Sequence, residues 1–240
     1  MTGVPLSEAG GLVLELVAAI NANRAHLSEI DGAIGDGDHG VNMSKGFTRA
    51  GAALGASPPP LPQALSVLSD ALFEGIGGSM GPLYGSLFSA MAETLDGVTT
   101  LDAPLCGRMV RAGLDAVREL GSAKPGDKTM LDALAPAADA FDAALREGKS
   151  FAQCLDAMAA AAERGRDATR DMVARVGRAS RLGERSRGVV DAGASSCCLI
   201  LQTIATGLKE RLGAPRGAVV SDQTTWRTPD VRVEANRGES

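Results

Sequence analysis

Residues 103–121, APLCGRMVRAGLDAVRELG, set the reading of the fold: Ala103 to Leu120 has helical periodicity, and Gly121 follows where a helix C-cap belongs. The same alternation of helical segment and breaker extends in both directions. Upstream, Leu12 to Ile20 reads as an amphipathic helix, with Ser7 as its cap and Glu8 in an acidic first turn. A Gly/Asp stretch from Asp31 to Gly40 interrupts the pattern before a helix from Val41 to Leu54. Pro58, Pro59 and Pro60 precede the next, Leu61 to Phe73, and Gly75 to Ser79 separates that from Pro82 to Leu95. Downstream, helices are predicted from Lys128 to Leu145 and from Phe151 to Val176. After a glycine-containing loop, Gly177 to Gly193, the last runs from Ala194 to Leu212. No Val/Ile/Thr alternation is long enough to require a strand, and no fixed-period repeat is present. Eight helices joined by loops predict an all-α fold, an antiparallel bundle or barrel.

Composition agrees. Of 240 residues 45% are hydrophobic but only 3% aromatic, so the core must be built from Ala, Leu, Val, Ile and Met, which suits helices better than sheets. The net charge of −5 argues against nucleic-acid binding by the whole chain. Met1 to Gly10 lacks a basic region ahead of an apolar stretch, so no secretory signal is expected. No apolar run approaches the ~18 residues of a membrane span. Cys106, Cys154, Cys197 and Cys198 lack zinc-type spacing, and the last two read as small core residues. The cytoplasm is the expected compartment. Residues 1–212 form the expected domain. Residues 213–240 are polar, with two prolines and the only tryptophan, Trp226, and read as a C-terminal tail or as an arm that docks through Trp226.

Three features carry chemistry. Asp31, Asp36 and Asp38 lie in the glycine-rich run DGAIGDGDHG, 31–40. Carboxylates brought together on such a loop need a cation, and hard oxygen ligands without a cysteine cluster point to Mg²⁺ or Ca²⁺. Asn42 stands where an EF-hand would need glutamate, and a solvated Asp/Gly turn gives the same residues without a metal. His39 alone could simply cap the following helix, and with only His26 beside it no histidine metal site can be assembled. Second, Gly77 to Pro82 and Lys124 to Met130 place small residues before helix starts, whose amides can face an anion. Third, Arg175, Arg178, Arg181, Arg185 and Arg187 crowd one segment of an acidic chain. An anion site and a solvated helix end both produce such a run.

Four blocks, DGAIGDGDHGVNM (31–43), GGSMGPLYG (77–85), GDKTMLDAL (126–134) and GRASRLGERSRGVVDAGA (177–194), resemble the nucleotide-binding L subunit of dihydroxyacetone kinases, in family order. The related fatty-acid kinase domains carry threonine where this chain has His39. The resemblance implies an eight-helix antiparallel barrel with the nucleotide at one rim, and Asp31, Asp36 and Asp38 holding two Mg²⁺ ions on ADP or ATP. It assigns nucleotide contacts to His39, Gly40, Val41, Asn42, Ser79, Met80, Gly121, Met130, Arg178, Asp191, Ala192 and Gly193, with Arg178 also catalytic. It implies a kinase subunit that is incomplete without a ketose-binding K subunit, whose own histidine captures the substrate carbonyl. The nucleotide is then exchangeable ATP or a retained ADP recharged by a phosphotransferase-system M subunit. A homodimer is compatible with it, and neither nucleic acid nor membrane is an expected partner. The chain departs from the family at Met80, commonly serine, at Ala192, usually proline, and at Arg181, commonly aromatic. The alternative from another class is a regulatory protein that binds a transcription factor without catalysis. Loss of aspartates would be expected of such a protein, and all three are present.

Overall fold

Short links between amphipathic helices make chain neighbours pack antiparallel, and that rule generates the architecture. The computed structural model describes residues 3–213. The ring consists of α1 (Gly11–Ala22), α3 (His39–Leu54), α4 (Leu61–Gly75), α5 (Met80–Glu93), α6 (Ala103–Glu119), α7 (Leu131–Arg146), α8 (Phe151–Ala168) and α9 (Ala192–Gly213). Each of these eight packs on the next, and α1 closes the ring against α9. Arg211, late in α9, pairs with Glu15 near the start of α1 at 2.6 Å. At the other end of α1, Asn21 accepts a hydrogen bond from Ser44 in the first turns of α3 at 2.7 Å. Both contacts fix antiparallel neighbours. The expected all-α, eight-helix ring is therefore present.

The remaining helix, α2 (Arg24–Ile34), lies outside the ring and packs on α3, α9 and the loop that follows α8. The sequence reading missed it, because α2 is short and polar and contains Gly32. Asp31 consequently sits in the last turn of a helix rather than on a loop. Other boundaries also shift. Ser7 lies in a 3₁₀ turn, Leu6–Glu8, and Gly10 is the N-cap of α1. The helix expected from Lys128 starts at Leu131, and the one expected to reach Val176 stops at Ala168. Two residues on each side, β1 (Val4–Pro5) and β2 (Thr100–Leu101), pair antiparallel and tie the N-terminal segment to the link before α6. A ladder that short leaves no alternation to read.

The core runs through the ring. Leu16, Ile20, Met43, Phe47, Leu68, Leu72, Tyr84, Phe88 and Phe141 are all at or below 1% exposure. Two edge-to-face pairs, Phe47–Phe88 at 6.1 Å and Phe141–Phe151 at 6.3 Å between ring centres, use four of the five phenylalanines. The four cysteines are buried and unbridged. Asp102 caps α6 by accepting from Leu105 N–H at 2.9 Å, and Ser150 with Gln153 forms a capping box at the start of α8. No described helix is long and apolar enough to cross a membrane. The arm expected around Trp226 lies outside the described residues.

Candidate active site

Antiparallel alternation places the N-termini of α3, α5, α7 and α9 at one rim, the rim that α2 crosses. Buried hydrogen bonds tie three of those starts together. His39, the first residue of α3, meets Ser196 Oγ of α9 through Nε2 at 2.8 Å. Ser196 Oγ meets the Tyr84 hydroxyl of α5 at 2.6 Å, and Tyr84 also donates to Gly193 O at 3.2 Å. The fourth start joins by close packing: a side chain built on Gly193 would lie 3.4 Å from Met130 N, at the head of α7. Four helix starts bring the positive ends of four dipoles to the rim, which favours anions there.

The carboxylates lie beside it. One oxygen from each of Asp31, Asp36 and Asp38 lies within 4.8 Å of the others. This geometry depends on Gly35, which ends α2: a Cβ there would fall 2.5 Å from Asp31 Oδ1, so any other residue would push that carboxylate away. The His39 N–H donates to Asp31 Oδ2 at 3.3 Å. Arg178 supplies the present counter-charge. Its guanidinium forms an ion pair with Asp36 and stands 3.7 Å from Asp38. Three converging carboxylate oxygens are the hard donors that a divalent ion such as Mg²⁺ takes.

The predicted residues divide by position. His39 turns its ring inward, and burial pushes its pKa from 6.5 down to about 4 against an opposing pull from Asp31. It is a neutral link in the rim, not simply a helix cap. Gly40 is buried, Asn42 half-buried and Val41 exposed. Ser79 is exposed at the N-cap of α5, its side chain making no capping bond, with Met80 half-buried beside it. Met130 is buried, whereas Gly121 is exposed just after α6 with nothing within 4 Å of a would-be Cβ. Asp191 caps α9 by accepting from Ala194 N–H at 2.7 Å, and burial raises its carboxyl pKa to about 7. Ala192 and Gly193 begin that helix. Arg175 and Arg178 do not lie at a helix end: they belong to the loop between α8 and α9, where Arg178 opens a 3₁₀ segment, Arg178–Ser186.

Sequence reasoning missed Tyr84, Ser196, Lys128 and Asp132. Tyr84 could have been found as the single tyrosine of the chain inside one of the four quoted blocks. Ser196 carries no local signal, since its role depends on partners 112 and 157 residues away.

A DAK2 domain matches residues 33–206. The chain belongs to the DAK2-domain family. Within that family it is 36% identical, over 77% of its length and 89% of the relative, to the ADP-binding subunit of the PEP-dependent dihydroxyacetone kinase of Escherichia coli. It is 37% identical over 75% of its length to a D-erythrulose kinase of Mycolicibacterium smegmatis, of which it spans 31%. The crystal structure of the C. freundii dihydroxyacetone kinase with AMP-PNP and Mg²⁺ superposes with a TM-score of 0.61 at 26% identity. That match covers 82% of this chain and 33% of the C. freundii protein.

Proposed function

We propose that this DAK2-domain chain is the nucleotide-binding subunit of a Mg²⁺-dependent kinase for dihydroxyacetone or a related ketose. One observation carries the reading: three convergent carboxylates and four helix N-termini meet at a single rim. An anion-favouring surface against a cation-favouring one suits a ligand that brings both charges, a metal–polyphosphate. The names of the relatives agree.

Asp31, Asp36 and Asp38 would hold a pair of Mg²⁺ ions. Bound there, Mg²⁺ supplies neutralisation of phosphate charge that would otherwise repel an attacking hydroxyl. The amides at the starts of α3 and α5 and the exposed Ser79 hydroxyl orient the phosphates, in the field of the four helix dipoles. Arg178 meets phosphate oxygens in pairs through its planar fork. Catalysis by this chain is positioning and electrostatics. His39 is buried with its Nε2 on Ser196 Oγ, so it is not presented to a ketose carbonyl. The family resemblance supports a separate K subunit as the holder of the acceptor, with ATP or an ADP recharged by a phosphotransferase partner as the phosphoryl donor. Residues 1–212 act as the nucleotide domain, in the cytoplasm.

Calorimetric titration with Mg²⁺-ADP tests the site. The parent should bind, and Asp36→Asn should lose at least tenfold in affinity with an unchanged helical circular-dichroism spectrum. Equal affinity would refute the metal assignment. In activity assays, the isolated chain with ATP, Mg²⁺ and dihydroxyacetone should form no ketose phosphate, and a K subunit should restore turnover.

A further inference from the structure

The turn ahead of α7 is more elaborate than a helix start requires. Asp127 accepts from Lys124 N–H at 3.0 Å, and Asp132 accepts from Gly126 N–H at 2.5 Å and from Thr129 N–H at 2.7 Å. Inside this frame Lys128 adopts φ 64°, the only left-handed non-glycine backbone among the described residues. The residue is 2% exposed. Its ammonium donates to the carbonyls of Met172 at 3.3 Å, Ser186 at 2.5 Å and Val189 at 2.7 Å. These bonds match the three donors of an ammonium.

Those carbonyls lie on the two limbs of the loop joining α8 to α9. Met172 is on the outgoing limb, and Ser186 and Val189 are on the returning one. Further bonds close the same base: Arg175 N–H to Asp127 O at 3.1 Å, Gly188 N–H to Arg170 O at 2.8 Å, and Ala174 N–H to Ser186 Oγ at 2.9 Å. Arg178 rides between the limbs. Its side chain is 61% exposed and, among the described residues, pairs only with Asp36 and Asp38. Beyond those ion pairs, what positions it is the loop backbone rather than packing. A buried ammonium whose hydrogen bonds all go to carbonyls, with the Asp191 carboxylate near enough to favour its charge, is a costly way to gain general stability, which an apolar side chain of equal length would supply more cheaply. What it adds is geometry: charge-assisted bonds that hold two limbs at a set separation.

We propose that Lys128 is a positioning residue for phosphoryl transfer, its ammonium clamping both limbs of the arginine loop so that Arg178 is held at the aspartate rim. The proposal rests on the reading of that rim as the Mg²⁺-nucleotide site.

Lys128→Met in the full chain keeps length and removes the charge. Trypsin cleavage within 178–187 of the folded variant should run at least tenfold faster than in the parent. Amide hydrogen exchange should accelerate across 173–190 and stay unchanged in the core of α4 and α5. With a K subunit present, kcat should fall at least tenfold while the ketose KM holds. Lys128→Gln, which retains a neutral donor, should shift the same way by less, and it decides the matter if the methionine variant does not fold. A loop as protected as the parent's would overturn the proposal. So would unfolding of both variants, because Lys128 would then hold the domain and not the loop. Failure of the parent to bind Mg²⁺-ADP would strike the nucleotide reading instead, while loop protection would still decide the clamp.

Discussion

Two adjacent serines at the head of α9 should differ sharply when truncated. Ser196 Oγ is the hub of the rim, facing His39 Nε2 at 2.8 Å and Tyr84 at 2.6 Å. In Ser196→Ala, Tyr84 keeps its bond to Gly193 O, but the His39 ring nitrogen is left buried with no described partner. A buried polar group without a partner costs about 1–3 kcal/mol. Ser195 is nearly as buried at 8% exposure, yet its hydroxyl serves only Asp191 O, which also accepts from the Ser195 N–H. Its removal strands nothing, so Ser195→Ala should cost no more than about 0.5 kcal/mol. For a domain of this size, 1 kcal/mol shifts Tm by about 2–4 °C. Thermal melts followed by circular dichroism should therefore show Ser196→Ala falling about 4–8 °C for a mid-range loss of roughly 2 kcal/mol, with Ser195→Ala within about 2 °C of the parent. Equal shifts would refute the argument that a buried chain of hydrogen bonds ties the helix starts together.

Three further outcomes follow from the same geometry. In Gly40→Ala the new Cβ would lie 2.0 Å from Arg24 O and 2.8 Å from Ser28 N, so α2 must back away from α3. The expected cost is about 1–3 kcal/mol, with a loss of Mg²⁺-ADP affinity by calorimetry because Asp31 moves with α2. For pH, Asp191 keeps its proton in the folded state up to about 7 while the unfolded chain releases it near 3.8, so this group makes stability fall as pH rises through that window. His39 does the reverse: the unfolded ring is protonated below 6.5 and the native ring only below about 4, so stability rises with pH between those values. Asp191→Asn removes the first slope and exposes the second, so its stability relative to the parent should climb by up to about 1.4 kcal/mol per pH unit between pH 4 and 7 in urea titrations. A pH-independent difference would contradict the burial argument. Finally, Arg178→Lys should leave Tm nearly unchanged and cut reconstituted phosphoryl transfer at least tenfold, whereas Arg175→Lys, at an exposed side chain of the same loop, should leave both Tm and transfer unchanged.

The ring of eight was legible because its helices are long, and proline or glycine separates most of them. What failed was short or depended on distant partners. Residues 24–34 mix Arg24, His26, Glu29 and Asp31 with a thin apolar stripe, Leu27, Ile30 and Ile34, and run into the Gly/Asp stretch, so this short helix was masked by the breaker pattern that follows it. The over-extension to Val176 has the opposite cause. Alanine and arginine favour helix, but Thr169 bonds back to Arg166 O at 2.5 Å and accepts from Asp191 N–H at 2.8 Å, which turns the chain out of α8. Asp31, Asp36 and Asp38 were visible as candidates because aspartates among glycines are a local pattern. Lys128 was not, because nothing in GDKTM announces that its ammonium will find carbonyls 44 to 61 residues away.

The placement of α2 bears on why the rim is built as it is. The ring closes through α1 and α9 without it, and most of α2 faces solvent, so burial is a weak reason for its presence. Its last turn delivers Asp31, and the link after it delivers Asp36 and Asp38 to the start of α3. Charges about 4 Å apart repel by about 1 kcal/mol in water and about 4 kcal/mol at the effective dielectric near a protein surface, so three carboxylates this close oppose folding unless a cation joins them. Arg178 answers that need from a loop whose base is locked and whose tip is exposed. On the nucleotide reading proposed above, the same guanidinium that pairs with the aspartates would be the group that meets the phosphates. On this account the carboxylates, the helix starts and the arginine loop form one charge-balanced unit, and a change at any one of them should register at the other two.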